Sequence, residues 1–231
     1  MKKKQQSPMK FAVIMTVVVV FLIGALVVIN NQTQNASQTF DDKPSTEGQP
    51  LLGNKDAAVT ITEFGDYKCP SCKQWTETVF PDLKKDYIDK DQVNFSYINF
   101  VNEQHGRGSE LSALASEQVW KEDPDSFWKF HEALYKAQPD NDTMENEWAT
   151  PAKLADITEA NTKIKRDKLV SSLNDKTFAE QLKTDNSLIN KYGVDSTPTI
   201  FVNGVKIDKP FDYDKIKETI EKELKGQSDE K

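Results

Sequence analysis

Cys69-Pro70-Ser71-Cys72 holds the only two cysteines of a 231-residue chain. They follow a strand-like run and open a helix-like one. A Cys-x-x-Cys pair at a helix N-terminus is suited to redox chemistry. The first sulfur meets the unpaired N–H groups and positive end of the helix dipole, which favour thiolate over thiol. The second lies one turn on, within bonding reach. As a staple the pair is weak: closing so short a loop contributes about 2 kcal/mol, against about 5 kcal/mol for a 100-residue loop. A chain using its only cysteines for stability would be expected to place them far apart.

Zinc is the rival use of such a pair, but a structural tetrahedral site needs two further ligands. The only histidines are His105, near a glycine turn, and His131, in Phe130-His131-Glu132. Neither has finger-like spacing. His131 reads as a helix surface or core residue. His105 lies near the end of the second expected strand, where it could border the active-site face, and reads first as a loop residue. Gly106-Arg107-Gly108-Ser109 is too short and isolated for a phosphate loop.

The elements that position the cysteines follow from pattern. Ala57–Gly65 is β-branched and partly alternating, a strand. Cys69–Tyr87 is helical, with Trp75, Val79, Leu83 and Tyr87 spaced by four and Pro81 predicting a kink. Val93–Val101 alternates strictly, a second strand. A helical block follows. Leu111, Leu114, Ala115, Val119 and Trp120 share one face. Asp125-Ser126 precedes a helix carrying Phe127, Phe130, Leu134 and Tyr135. Thr150-Pro151 reads as an N-cap with a proline at the first helical position. Thr177–Tyr192 closes at Gly193. The aromatic residues Trp120, Phe127, Trp128, Phe130 and Tyr135 read as the core of this block. Thr199–Val202 and Val205–Ile207 flank an Asn203-Gly204 hairpin turn, and Asp212–Leu224 is a final helix. The order β-α-β, helices, β-β-α describes an α/β domain with an all-helical insertion.

Charge is divided along the chain. All 37 acids lie at Asp41 or later, after Lys2, Lys3, Lys4 and Lys10. The remainder carries 26 basic and 37 acidic groups, a net of -11. That excludes nucleic acid, whose phosphates need a basic face, and electrostatic adhesion to anionic lipid. Phe11–Ile29 is a 19-residue apolar run, long enough to span a bilayer as a helix. It ends without a small-x-small cleavage site. It reads as an uncleaved anchor with four lysines on the cytoplasmic side and the domain outside; later cleavage is the competing reading. The Asn-, Gln- and Ser-rich segment 30–49 reads as a flexible stalk. The turns at Asp123-Pro124-Asp125 and Pro139–Asp142 are acidic. An extracellular acidic domain can hold structural Ca2+, but no spaced calcium-loop pattern supports one.

Phe64-Gly65-Asp66-Tyr67-Lys68-Cys69-Pro70-Ser71-Cys72, with Ser196-Thr197-Pro198-Thr199 far downstream, resembles the thioredoxin superfamily. The helical insertion makes the chain similar to DsbA-like thiol–disulfide oxidoreductases. With the anchor, it most resembles the membrane-anchored BdbD-type oxidases of Gram-positive bacteria. The likeness covers roughly residues 50 to 225. It implies a thioredoxin fold with a large all-helical insertion, preceded by an N-terminal transmembrane helix. The segments would be a basic cytoplasmic stretch (1–10), an anchor (11–29), a stalk (30–49), the first half of the thioredoxin fold (50–104), a helical insertion (105–193), the second half of the fold (194–225) and a disordered tail (226–231).

The resemblance also implies roles. Cys69 would be the exposed nucleophile and Cys72 the buried resolving thiol. Pro198 would be a cis-proline facing the disulfide, and Thr197 would lend backbone groups to a bound peptide, with Pro70 and Ser71 beside it. Glu63 matches an acidic position under the active site of DsbA-like proteins, where a buried carboxyl of raised pKa could exchange protons with Cys72; the alternative is an edge carboxylate facing solvent. Oxidising relatives commonly have histidine where this chain has Ser71. The helix dipole, backbone N–H groups and the Ser71 hydroxyl remain to hold the thiolate, so a depressed Cys69 pKa and a less extreme oxidant are expected. No cofactor is required, since the redox disulfide is protein-borne. Implied partners are exported proteins with free thiols and a DsbB-like, quinone-linked membrane oxidoreductase, with the catalytic domain outside the cell membrane. A same-fold reductase or isomerase, and a surface chaperone or binding domain whose cysteines form a local clip, are the rival functions.

Overall fold

The computed structural model describes residues 37–140 and 146–229, together with Met15, Val18, Val19, Phe21, Ile23 and Gly24. Residues 1–37 form one unit and 38–231 a second. The six described residues near the N-terminus are helical and exposed. The rest of the expected anchor, the basic segment before it and the stalk to Ala36 lie outside the described residues, as do 141–145 in the second acidic turn. Among the described residues no helix is long and apolar enough to cross a membrane.

The second unit is built on a five-stranded sheet of order β1-β3-β2-β4-β5. The strands are β1 (Leu51–Gly53), β2 (Val59–Gly65), β3 (Val93–Asn99), β4 (Thr199–Val202) and β5 (Val205–Ile207). β2 and β3 are parallel, and the other pairs are antiparallel. The central strands β2, β3 and β4 are buried along their whole length. That explains their mixed sequence signal: with both faces covered, alternation of apolar and polar residues is not required. β1, three residues long, carries too few positions to show a period and was not expected.

Helices α1 (Pro70–Thr78) and α2 (Phe80–Asp86) connect β2 to β3. One kinked helix was expected here; the chain instead makes two, parting at Val79, so that Pro81 sits in the first turn of α2, where no N–H is needed. Between β3 and β4 come α3 (Arg107–Glu122), α4 (Phe127–Ala137), α5 (Pro151–Asn161), α6 (Arg166–Asp175) and α7 (Ala179–Lys191). Thr150 caps α5, its hydroxyl accepting from Lys153 N at 3.3 Å. Helix α8 (Tyr213–Asp229) closes the chain. It runs into the tail expected to be disordered. No proline interrupts Lys225–Asp229, and the single Gly226 costs only about 1 kcal/mol relative to alanine.

On one face of the sheet Val59, Ile61, Phe95, Ile200 and Val202 meet Trp75, Leu83 and the apolar faces of α3 and α4. Trp75 stacks on Phe95 at 6.0 Å between ring centroids. Phe127, Phe130 and Tyr135 are core as expected, while Trp120 and Trp128 are only partly buried against it. On the other face Phe64, Ile98, Tyr192, Val194 and Phe201 form a second cluster.

Phe40 joins that second cluster, 5.1 Å from Tyr192 and 5.8 Å from Phe201. The expected stalk therefore ends earlier than Gln49. Thr39 bridges Val205, Phe40 N donates to Gly204 O, and Lys206 N donates to Gln38 O. Residues 38–40 thus satisfy the open edge of β5. A Cβ at Gly204 would fall 2.5 Å from Phe40 O, so only glycine admits this strap.

Candidate active site

The turn Asp66-Tyr67-Lys68 leaves the end of β2 and delivers Cys69 to the N-cap of α1. Cys69 is extended (φ -80°, ψ 117°), and its carbonyl accepts the first helical bonds, from Cys72 N at 3.1 Å and Lys73 N at 3.2 Å. Pro70 occupies the first turn, and no acidic residue lies there to oppose a thiolate.

β4 pairs with β2, placing Thr199 beside Phe64 and Ile200 beside Glu63. This register brings the loop before β4 against the cysteines. The Thr197–Pro198 peptide bond is cis. The Cys69 thiol donates to Thr197 O at 3.5 Å. Pro198 is buried, Thr197 half-buried, and Pro70 and Ser71 are exposed.

Cys69 itself is only 6% exposed, rather than the open nucleophile expected. The loop of Thr197 covers it on one side, and the N-cap position turns it into the protein on the other. Cys72 is fully buried. Both are free thiols. Their environments push them apart. A hydrogen bond from the Cys72 thiol lowers Cys69 to about 6, helped by the Thr197 side chain and the Cys72 N–H, against burial and the Asp66 charge. Burial, then the hydrogen bond and charge of Cys69, hold Cys72 well above the usual thiol range. Ser71 points outward, so the stabilisation expected from its hydroxyl comes from the second thiol and the backbone instead.

Glu63 lies in the middle of β2, paired with Tyr97 on β3 and Ile200 on β4. It is fully buried, and neither carboxyl oxygen has a hydrogen-bond partner among the described residues. The solvent-facing alternative is thereby removed. Burial, with the charge of Cys69, raises its carboxyl well above the ordinary range. Burial therefore favours the neutral form of this carboxyl.

The Tyr67 hydroxyl and His131 Nδ1 share a hydrogen bond of 2.9 Å, as do the Tyr97 and Tyr135 hydroxyls, also at 2.9 Å. Burial lowers His131 to about 3, so it is a neutral core residue.

Sequence reasoning missed the role of Asp66 and the burial of His105 against it. His105 lies in the connection after β3, as expected of a loop residue, but it is buried and borders the active-site turn, its Nδ1 2.6 Å from Asp66 Oδ2. Ser109 Oγ donates to the same oxygen at 2.8 Å. The signal available was Asn102, whose side chain accepts from Gln104 N and starts a turn in front of His105. Among the described residues no cluster of three or more His, Cys, Asp or Glu could hold a metal.

A family model described as thioredoxin matches residues 45–222. The chain is 55% identical over 197 residues to disulfide bond formation protein D of Bacillus subtilis (strain 168), covering 85% of this chain and 86% of the relative. It is 36% identical over 226 residues to probable disulfide bond formation protein D of Bacillus anthracis, covering 96% and 99%. The crystal structure of oxidised BdbD from Bacillus subtilis matches with a TM-score of 0.77 at 52% identity, over 83% of this chain and 100% of that one. DsbA of Chlamydia trachomatis matches with a TM-score of 0.64 at 27% identity, over 75% and 90%. With a redox-suited cysteine pair at the mouth of such a fold, the chain belongs to the thioredoxin superfamily, as a DsbA-like protein thiol–disulfide oxidoreductase of the BdbD type.

Proposed function

We propose that the chain donates a Cys69–Cys72 disulfide to exported proteins while held at the outer face of the cell membrane by its N-terminal segment. A substrate thiolate attacks Cys69 Sγ. The Cys69–Cys72 bond breaks, a mixed disulfide forms, and Cys72 leaves as a thiolate. Glu63 supplies the proton that neutralises it. The substrate's second thiolate then attacks its own sulfur in the mixed disulfide and expels Cys69. The substrate has lost two electrons and the enzyme has gained them. Thr197 and Pro198, with Pro70 and Ser71 across the sulfur, line the place where the substrate backbone would lie.

The observation that carries this reading is the divergence of the two thiols. Cys69, lowered to about 6, is a good leaving group and a stable thiolate at neutral pH, whereas buried Cys72 is not. Stabilising the Cys69 thiolate stabilises the reduced form, which makes the disulfide an oxidant. Reoxidation needs a partner that accepts two electrons. A DsbB-like membrane protein that passes them to quinone fits, and an anchor at residues 11–29 would keep the enzyme beside it. The apolar, exposed side chains of Met15, Val18, Val19, Phe21 and Ile23 support that anchor.

The test is the redox equilibrium of the full chain with glutathione. A potential towards the DsbA value of about -120 mV supports an oxidase; a value near or below that of thioredoxin, about -270 mV, sinks it in favour of a reductase.

A further inference from the structure

The dipeptide between the cysteines holds no cation, yet one histidine is buried beside the turn that carries Cys69. Asp66, 2% exposed, organises that turn. Its carbonyl accepts from Cys69 N at 2.9 Å, and its Oδ1 accepts from Lys68 N at 2.8 Å. Its Oδ2 is held by His105 Nδ1 at 2.6 Å and Ser109 Oγ at 2.8 Å. His105 comes from the segment joining β3 to α3 and Ser109 from the first turn of α3, and that segment is itself fixed. Asn102 N donates to Ser109 Oγ, His105 N to Asn102 O, and Gly106 adopts φ +69°.

A carboxylate three residues before a reactive sulfur works against its thiolate. Burial and, to a smaller extent, the Asp66 charge oppose the groups that lower Cys69. At 2.6 Å the contact is slightly shorter than the range of about 2.7–2.9 Å for charge-assisted N–H···O bonds, as befits a close imidazole–carboxylate pair. An imidazolium there cancels the carboxylate.

We propose that His105 is a positioning residue that holds and neutralises Asp66 beside Cys69, supplying from the β3–α3 segment the cationic help that Ser71 does not provide within the motif. The charged groups facing it are Asp66 and Lys68 from the turn and the Cys69 thiolate; Glu103 and Arg107 on its own segment are exposed. The hydrogen bond to Asp66 raises His105, so it stays cationic further up the pH scale than a free histidine. The inference rests on reading Cys69 as the redox sulfur.

The experiment compares the full-length chain in detergent with His105→Gln, Asp66→Asn and the double variant. The readouts are Cys69 pKa, from thiolate absorbance, and the equilibrium with glutathione. Glutamine can still donate to Asp66 but carries no charge. His105→Gln should raise the Cys69 pKa by about one unit and shift the equilibrium about tenfold towards the disulfide form. Asp66→Asn should move both the opposite way, and the double variant should return near the wild-type values. A purely structural role would lower the melting temperature of His105→Gln and leave pKa and equilibrium unmoved, which overturns the proposal. So does a double variant as displaced as His105→Gln. If His105→Gln does not fold, Asp66→Asn decides: a lower Cys69 pKa supports the proposal, and an unchanged or higher one overturns it. A wild-type chain that exchanges no disulfide with glutathione overturns the redox reading together with this inference; normal exchange with unmoved variants overturns the inference alone.

Discussion

Glu63 and Cys72 are both fully buried beneath the active-site turn, and the charge of a Glu63 carboxylate would raise the Cys72 thiol further. Neither group ionises cheaply while the other is charged. A proton shared in sequence between them resolves the conflict, because Cys72 appears as a thiolate only at the moment the disulfide opens. Glu63, with no partner for either oxygen among the described residues, is the group to which the proposed function assigns that proton.

Glu63→Gln removes that store and keeps the shape. Mixed-disulfide formation and turnover at neutral pH should slow by about 100-fold, the low end of general-acid effects. Stopped-flow oxidation of a dithiol peptide measures this, and an unchanged rate would remove Glu63 from the mechanism. Stability should move the other way. A carboxyl raised in the folded state contributes stability below its unfolded pKa, and this is lost as pH rises through the folded value. The variant should therefore melt higher than wild type above neutrality and gain nothing near pH 4.

Cys69 gives the opposite pH signature. Its thiol is depressed to about 6, below an unfolded value of about 8.5, so the stability it adds to the reduced form is complete above about 8.5 and lost as pH falls through about 6. At pH 7 the contribution is about 1.4 kcal/mol. Alkylation by iodoacetamide should titrate with a midpoint about 6 and modify Cys69 alone. The melting temperature of the reduced protein minus that of the oxidised protein should widen from pH 5 to pH 8. A flat difference would mean that the sulfur is not ionised.

Gly65 packs where no side chain fits. A Cβ there would come 2.6 Å from Tyr97 Cε2 and 2.9 Å from its hydroxyl, and 3.0 Å from Glu63 Oε1. Gly65→Ala should cost about 1–3 kcal/mol, as overpacking does. It should also displace the ring and carboxyl beneath the cysteines, so the turnover loss should exceed what the fall in stability explains. Equal activity per folded molecule at a temperature well below melting would show that Glu63 is not disturbed.

Much of this architecture was legible because it is periodic or punctuated. Val93–Asn99, the Asn203-Gly204 turn and the Thr150-Pro151 helix start each carry a local signature, and the Cys pair with Thr197-Pro198 carries the site. The rest depends on tertiary neighbours. Phe40 lies in a polar stretch and reads as linker until Tyr192 and Phe201 are seen against it. His105 is an ordinary turn residue until the β2–β3 register brings its segment to Asp66. The accessibility of Cys69 depends on the loop before β4, more than a hundred residues away in sequence.

Glu117 on α3 and Asp185 on α7 repeat the carboxyl theme away from the cysteines. Both are buried and share Asn99, whose N donates to Asp185 Oδ2 at 3.3 Å and whose Nδ2 donates to Glu117 Oε1 at 2.6 Å, while Gln49 Nε2 lies 2.7 Å from Asp185 Oδ1. Burial and the Asp185 charge raise Glu117, so the pair keeps one proton to higher pH than free carboxyls do. The folded state therefore binds that proton more tightly than the unfolded chain. Stability from the pair is present below about pH 4.3 and declines as pH rises towards about 8. Glu117→Gln keeps an acceptor for Asn99 and offers an amide to Asp185 without a second charge. In buffer containing EDTA, so that no stray cation neutralises the carboxylates, the variant should match wild type near pH 4.5 and exceed it by on the order of 2 kcal/mol at pH 8. Thermal melts at those two values decide it. Parallel melting curves would mean that the two carboxyls ionise independently and that the polar network around Asn99 already compensates both.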